Sequence, residues 1–218
     1  MIPSELGVIT IPALSTPRRD KALVLLHGWG ANAEDLVALQ GSFTPYGWQI
    51  FGLNGVFPHP HVQGGRMWYD LEHPDWLGLD ESKKIVLTWL RSFEQSTGIP
   101  LNRTVLGGFS QGAAMSLDLG LTLPLAGLMV LSGYPHPEIS LADLADPPPA
   151  VLVVHGRQDT IVPVSAAHKI QQFLQRSPIS IPITYQEMDA GHEVSPETIA
   201  AMSRFLSTLN LPAQPERK

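Results

Sequence analysis

Gly108-Phe109-Ser110-Gln111-Gly112 fits the pattern G-x-S-x-G. Those residue types suit a serine hydroxyl held at a sharp turn from strand into helix, where glycines relieve the crowding between the two elements. A short string of Gly and Ser also occurs as an ordinary turn, so the flanks decide. Thr104-Val105-Leu106 before it reads as a strand, and Ala113-Ala114-Met115-Ser116-Leu117 after it as a helix. An activated serine needs a base and a group that orients the base, and on such a sheet they follow in the chain order Ser, Asp, His. Asp159, in His155-Gly156-Arg157-Gln158-Asp159, and His192, in Ala190-Gly191-His192-Glu193, complete that order. Each stands just past an apolar run, where the carboxyl ends of strands gather functional residues in open α/β sheets. Asp189 is a rival acid, but it lies three residues before the base in the same loop. Alone, Asp159 reads as a loop carboxylate or a helix cap, and His192 as a satisfied surface or core residue. Together the three point to Ser110 as nucleophile, His192 as general base and Asp159 as the orienting carboxylate.

The oxyanion formed by such an attack needs amide donors. One is expected from Gln111, whose N–H follows the nucleophile and opens a helix with a favourable dipole. The other is expected from Leu26-His27-Gly28-Trp29-Gly30, where glycines let the backbone turn an amide inward. Trp29 N–H is the expected donor, although the string also reads as a plain glycine turn. His27 and His155, each before a glycine, are expected to brace their loops. His59-Pro60-His61, with His73 and Asp75 nearby, hints at a metal site. The prolines leave no helical or hairpin ligand spacing, so no metal is expected. No G-x-G-x-x-G or P-loop string appears, and acyl transfer through serine needs no cofactor. Asp118, on the helix after the serine, reads as a helix-surface residue.

The elements that must position these groups are short apolar runs alternating with helical patterns. Runs at 22–26, 49–53, 104–106, 125–131, 151–154 and 182–186 fit strands, most of them buried on both faces. Ile85, Trp89 and Phe93, with Val86 and Leu90, make the apolar stripe of a helix over about 81–96. Asp80 or Ser82 is expected to cap its start, and Gly98-Ile99-Pro100 to stop it. Further helices are expected over 111–122, 165–176 and 195–209. The alternation implies βαβ crossovers and an α/β fold with a mostly parallel central sheet flanked by helices. Segments 54–79 and 134–149 lack this rhythm, and long irregular segments are often functional. The first is rich in apolar residues, among them Phe57, Trp68, Trp76 and Leu77, and is expected to build a hydrophobic groove toward Ser110. Core filling and a subunit contact are its other possible uses.

The bulk properties set limits. In 218 residues, 44% hydrophobic and 16% charged, there is enough apolar material for a filled core, which argues against a disordered chain. A single domain over 1–210 is expected, with a loose polar tail at 211–218. A net charge of -6 disfavours nucleic acid and anionic lipid as partners. With no cysteine, disulfides, thiolate metal sites and a cysteine nucleophile are excluded. Met1-Ile2-Pro3-Ser4-Glu5 carries no signal-peptide pattern, and no apolar run is long enough to span a bilayer. A cytoplasmic location without integral membrane association is therefore expected.

These strings together resemble the acyl-protein thioesterase, lysophospholipase and carboxylesterase family of small α/β-hydrolases. The resemblance is carried by Leu26-His27-Gly28-Trp29-Gly30, Trp68-Tyr69-Asp70 and Gly98-Ile99-Pro100-Leu101-Asn102-Arg103, then by Gly107 through Gly112. It continues with His155 through Asp159, Val162-Pro163, Gly191-His192 and Pro196-Glu197. It implies the α/β-hydrolase fold without a separate cap domain, and the triad Ser110, Asp159, His192. It implies oxyanion amides at Trp29 and Gln111, and an acyl group bordered by Trp68, Tyr134 and Ile161. It also implies a serine esterase acting on small-molecule or lipid esters or thioesters, or on acylated proteins. The family often has Leu where Trp29 stands and Asp where Ala31 stands. The indole is expected to narrow the acyl site and favour short to medium chains. Lysophospholipase, peptidase and amidase activities remain as rivals on the same fold, and a hydrolase-like binding protein without catalysis as a rival of another class.

Overall fold

The alternate residues of each apolar run face opposite sides of one sheet. In the computed structural model, which describes residues 6–11, 20–39 and 47–212, Ala22, Val24 and Leu26 enter one buried cluster while Leu23 and Leu25 enter another. That period of two is what a strand covered on both faces requires.

In chain order the elements are β1 (Val8–Ile11), β2 (Lys21–Leu26), α1 (Ala33–Ala38), β3 (Trp48–Leu53), and the two-residue strands β4 (Phe57–Pro58) and β5 (Arg66–Met67). Next come α2 (Leu79–Thr97), a 3-10 turn at Leu101–Arg103, β6 (Thr104–Phe109), α3 (Gln111–Gly120) and β7 (Gly127–Leu131). The chain continues through β8 (Ala150–Gly156), α4 (Ser165–Gln175), β9 (Ile183–Met188) and α5 (Pro196–Thr208). Seven strands form the main sheet in the order β1-β3-β2-β6-β7-β8-β9. Among the described strands of this sheet, only β1 runs antiparallel to its neighbour, while β4 and β5 pair antiparallel in a separate two-stranded sheet. Helices α2, α3 and α4 supply the cluster on one face of the sheet, and α1 and α5 supply the other. Between β7 and β8, residues 132–149 hold no helix or strand.

This topology fixes where a site can lie. After β2 the chain builds outward through β3, then crosses back to lay β6 on the other side of β2. The strand order therefore reverses between β2 and β6, and a crevice opens beyond their carboxyl ends. Leu26 pairs with Gly108 there, so the loop after β2 and the turn after β6 leave the sheet side by side.

Several expectations are corrected. Helix α2 begins at Leu79 behind Gly78, whose φ of 94° is left-handed, and no side chain caps it. Ser82, expected as a cap, is buried and donates its hydroxyl to the Trp68 carbonyl. The stop at Gly98 is as expected: its φ is 72°, and its N–H returns to the Glu94 carbonyl at 2.8 Å. Strand β1 and helix α1 are additional to the elements expected. Of the expected tail, Leu211 packs against the α5 side of the sheet and the Pro212 carbonyl accepts from Arg103. The remainder, 213–218, lies outside the described residues.

Candidate active site

Ser110 sits between β6 and α3 with φ 54° and ψ -116°. A non-glycine residue in so sparsely populated a conformation costs on the order of 1–3 kcal/mol and persists only where its surroundings hold it. Here the Ser110 N–H donates to the Leu131 carbonyl (2.9 Å), and its own carbonyl accepts from Ala113 (3.0 Å) and Ala114 (3.1 Å). The flanking glycines are sterically required. A Cβ on Gly108 would strike the Gly112 carbonyl, and one on Gly112 would strike the carbonyls of Leu26 and His27.

From this turn the hydroxyl meets His192, with Oγ 3.0 Å from Nε2. The other ring nitrogen, Nδ1, lies 2.7 Å from Asp159 Oδ2. Asp159 Oδ1 accepts the amides of Ile161 (2.9 Å) and Val162 (2.8 Å). The carboxylate side chain is fully buried, so those bonds replace water and fix its direction. His155, expected to brace its loop, bonds the Val162 carbonyl through Nε2 at 2.7 Å. The rival acid Asp189 instead accepts from Gln158 at an exposed position (2.8 Å). Ser110, His192 and Asp159 are thus brought into one hydrogen-bonded line from three strand ends.

Both residues expected to supply amides border the serine: Gln111 follows it, and Trp29 lines the same cavity. Gln111 N–H opens α3 beside Ser110. The direction of the Trp29 N–H follows from the Gly28–Trp29 peptide. Gly55 N–H donates to His27 Nε2 (2.8 Å), which leaves the ring proton on Nδ1, and Nδ1 donates to the Gly28 carbonyl (2.7 Å). Ala31 N–H reaches the same carbonyl (3.2 Å). In a planar trans peptide, that carbonyl direction turns the Trp29 N–H the opposite way. Gly28 itself abuts the elbow: a Cβ on it would lie 3.5 Å from Ser110 Cβ. Burial pushes the pKa of His27 down to about 4, which keeps the ring neutral and its Nε2 lone pair available to Gly55.

A cavity of about 510 Å³ opens at Ser110 and His192, walled by Trp29, Leu71, Trp76 and Tyr134 with Ile161 at 70% exposure. Trp29, Tyr134 and Ile161 therefore stand where the sequence expected them, around the cavity. Trp68 does not. It is completely buried behind the wall, donating Nε1 to the His27 carbonyl (2.9 Å) and its amide to Gln111 Oε1 (3.0 Å). Leu71 and Trp76 take the place assigned to it. Asp118 is also corrected: its side chain is only 11% exposed and pairs with Lys83 and His136. Its position on the helix hid this, because the partners come from elements distant in sequence. At the histidine-rich loop, His59 Nδ1 accepts the amides of His61 (3.1 Å) and Val62 (3.0 Å), and His61 pairs with Glu72. Among the described residues no group of three or more His, Asp or Glu side chains is arranged to hold a metal ion. None of their helices is long and apolar enough to cross a membrane.

A mostly parallel sheet with a strained serine at its switch point defines an α/β-hydrolase. Residues 11–210 match the phospholipase/carboxylesterase family, and the chain belongs to that family as a hydrolase. It is 32% identical over 174 residues to acyl-protein thioesterase 1 homolog 1 of Dictyostelium discoideum, covering 73% of this chain and 72% of the relative. It is 32% identical over 213 residues to acyl-protein thioesterase 1 of Schizosaccharomyces pombe, covering 86% and 90%. The crystal structure of esterase PE8 superposes with a TM-score of 0.77 at 26% identity, over 94% of this chain and 99% of that one. A carboxylesterase from Mesorhizobium loti has a TM-score of 0.80 at 19% identity, covering 95% and 97%, and shares the fold.

Proposed function

We propose that the protein is a serine esterase that cleaves carboxylic esters or thioesters of short to medium acyl chains through an acyl-enzyme. The observation that carries this reading is the unbroken line from Ser110 Oγ through the His192 ring to Asp159, at 3.0 and 2.7 Å. His192 Nε2 takes the hydroxyl proton as Oγ attacks the carbonyl carbon. The new oxyanion is held by the amides of Trp29 and Gln111. The tetrahedral centre collapses, the bond to the leaving oxygen or sulfur breaks, and His192 returns the proton to that atom. Water then repeats the sequence on the acyl-serine and releases the acid. Asp159 holds the ring with Nδ1–H inward and stabilises its charged form. Residues 1–210 act as one catalytic unit in this account, with no cofactor.

The largely apolar cavity wall supports an acyl chain there. Trp29, packed edge-on against His59 with ring centroids 4.3 Å apart, narrows it. The names of the thioesterase relatives favour thioesters, on small molecules or on acylated proteins, as substrates to try first. A panel of oxygen esters and thioesters from acetyl to palmitoyl tests the reading. Hydrolysis that rises with chain length, peaks at short to medium chains and vanishes in Ser110→Ala is expected. A panel left uncleaved, or best cleaved at palmitoyl, would overturn it.

A further inference from the structure

We propose that Tyr134 is a specificity-determining hydrogen-bond acceptor in the substrate cavity, held in that role by the buried chain Asp118–His136–Tyr69. It would select acyl groups bearing a hydroxyl or an amide N–H over those bearing only an acceptor. The inference rests on the reading of the cavity as the acyl site.

The chain begins with a charge. Asp118 Oδ2 accepts from Lys83 Nζ at 2.8 Å and from His136 Nδ1 at 2.8 Å. Burial pushes the Asp118 carboxyl up, but the hydrogen bonds from His136 and Lys83 outweigh it and hold the group below its usual range. The carboxylate is thus an acceptor, and His136 Nδ1 carries a proton. His136 Nε2 lies 3.0 Å from the Tyr69 hydroxyl, and that hydroxyl lies 2.6 Å from the hydroxyl of Tyr134. Burial pushes both phenols above their ordinary value, Tyr134 to about 12, so each keeps its one proton.

A neutral His136 sets the direction of every bond in the proposed chain. Asp118 is already paired with the Lys83 ammonium at 2.8 Å and needs no second cation, and the proposed chain has a neutral His136. A neutral ring with its proton on Nδ1 offers only a lone pair at Nε2. Tyr69 must donate to it. Tyr69 then has no proton left for Tyr134, and Tyr134 must donate to Tyr69. A group in the cavity that reaches the Tyr134 oxygen meets lone pairs only. Trp76 shields the chain: it stacks on Tyr69 (5.4 Å between centroids) and meets His136 (5.5 Å) and Tyr134 (5.9 Å) edge-on. Tyr134 and Trp76 both line the cavity that opens at Ser110. Tyr69, His136 and Asp118 act through Tyr134 and are positioning residues.

The test uses 4-nitrophenyl butanoates that carry, at carbon 2 or carbon 3, either a hydroxyl or a methoxy group. Both substituents accept hydrogen bonds, but only the hydroxyl donates. Assayed at pH 8, above the ordinary histidine range, the native protein should favour the hydroxyl compound in kcat/KM by about three- to tenfold at one of the positions, as a single hydrogen bond allows. Tyr134→Phe should bring the ratio close to one. Tyr69→Phe removes the acceptor that holds the Tyr134 proton, so that proton turns to the cavity and the methoxy compound should gain. A purely structural role for Tyr69 would lower both rates and leave the ratio alone. Circular dichroism and labelling of Ser110 by a fluorophosphonate check that each variant is folded and competent. A native ratio of one at both positions, or a ratio unchanged by Tyr69→Phe, would overturn the proposal and leave the esterase reading standing. Undiminished hydrolysis by Ser110→Ala would remove both.

Discussion

Trp68 donates its backbone amide to the side chain of Gln111, 3.0 Å away across 43 residues of sequence. The same side chain donates from Nε2 to the Tyr69 carbonyl at 2.7 Å, while the Trp68 indole reaches the His27 carbonyl at 2.9 Å. One buried tryptophan therefore ties together the cavity wall, the helix that opens at Gln111 and the loop that carries Trp29. It acts on the site through these bonds.

Trp68→Ala should accordingly destabilise the fold by about 3–5 kcal/mol, as removing a large buried aromatic does. It should lower kcat/KM by a similar factor for every acyl chain. Urea denaturation and the acyl panel check both halves. A loss restricted to the preferred chain would mean that Trp68 reaches the substrate.

Trp29 and Trp76 stand in the cavity wall, and their substitution should change chain preference. Trp29→Leu opens the wall, and each further methylene then buried contributes up to about 0.8 kcal/mol, or about fourfold in kcat/KM. The optimum should move to longer acyl chains while acetyl turnover changes little. An unmoved optimum would remove Trp29 as the limit on chain length.

Asp159→Asn should reduce kcat by on the order of 10³–10⁴, because the amide favours the wrong imidazole tautomer. Asp189→Asn, at an exposed position bonded to Gln158, should cost far less. Steady-state rates of the two variants decide between the two carboxylates, and the reverse order would assign the role to Asp189.

His27 links stability to acid. Its folded pKa is lowered to about 4, so the folded state binds fewer protons there than the unfolded chain. The contribution is complete above the ordinary histidine value of about 6.5. It is lost as pH falls from there toward 4, at up to about 1.4 kcal/mol per pH unit for one proton. Urea unfolding of native protein and His27→Asn between pH 7.5 and 4.5 should show a shallower loss in the variant. Parallel curves would mean that burial of His27 does not couple folding to protons.

Most of the parallel sheet was legible because strands such as β7 and β8 are covered on both faces and read as continuous apolar runs. Strand β1 was not, since it is a four-residue antiparallel edge with only Ile11 buried. The convergence of Ser110, Asp159 and His192 was legible because each follows a strand end in the expected order. Trp68 was misjudged for a general reason. An apolar residue in an irregular segment has no periodicity to tell a cavity wall from a strut behind it. Asp118 was misread because a single helix pattern cannot show that Lys83 and His136 arrive from elsewhere. The Tyr69–His136 contact, 67 residues apart, left no local signal at all.

The assignment of Ser110 as nucleophile is tested most directly by an alkyl fluorophosphonate, which reacts with a serine only where a base activates it. Peptide mass spectrometry of the treated protein should find a single phosphonyl adduct on Ser110. The adduct should be absent from Ser110→Ala and form far more slowly in His192→Ala. An adduct on another residue, or labelling of Ser110→Ala at the native rate, would contradict the account.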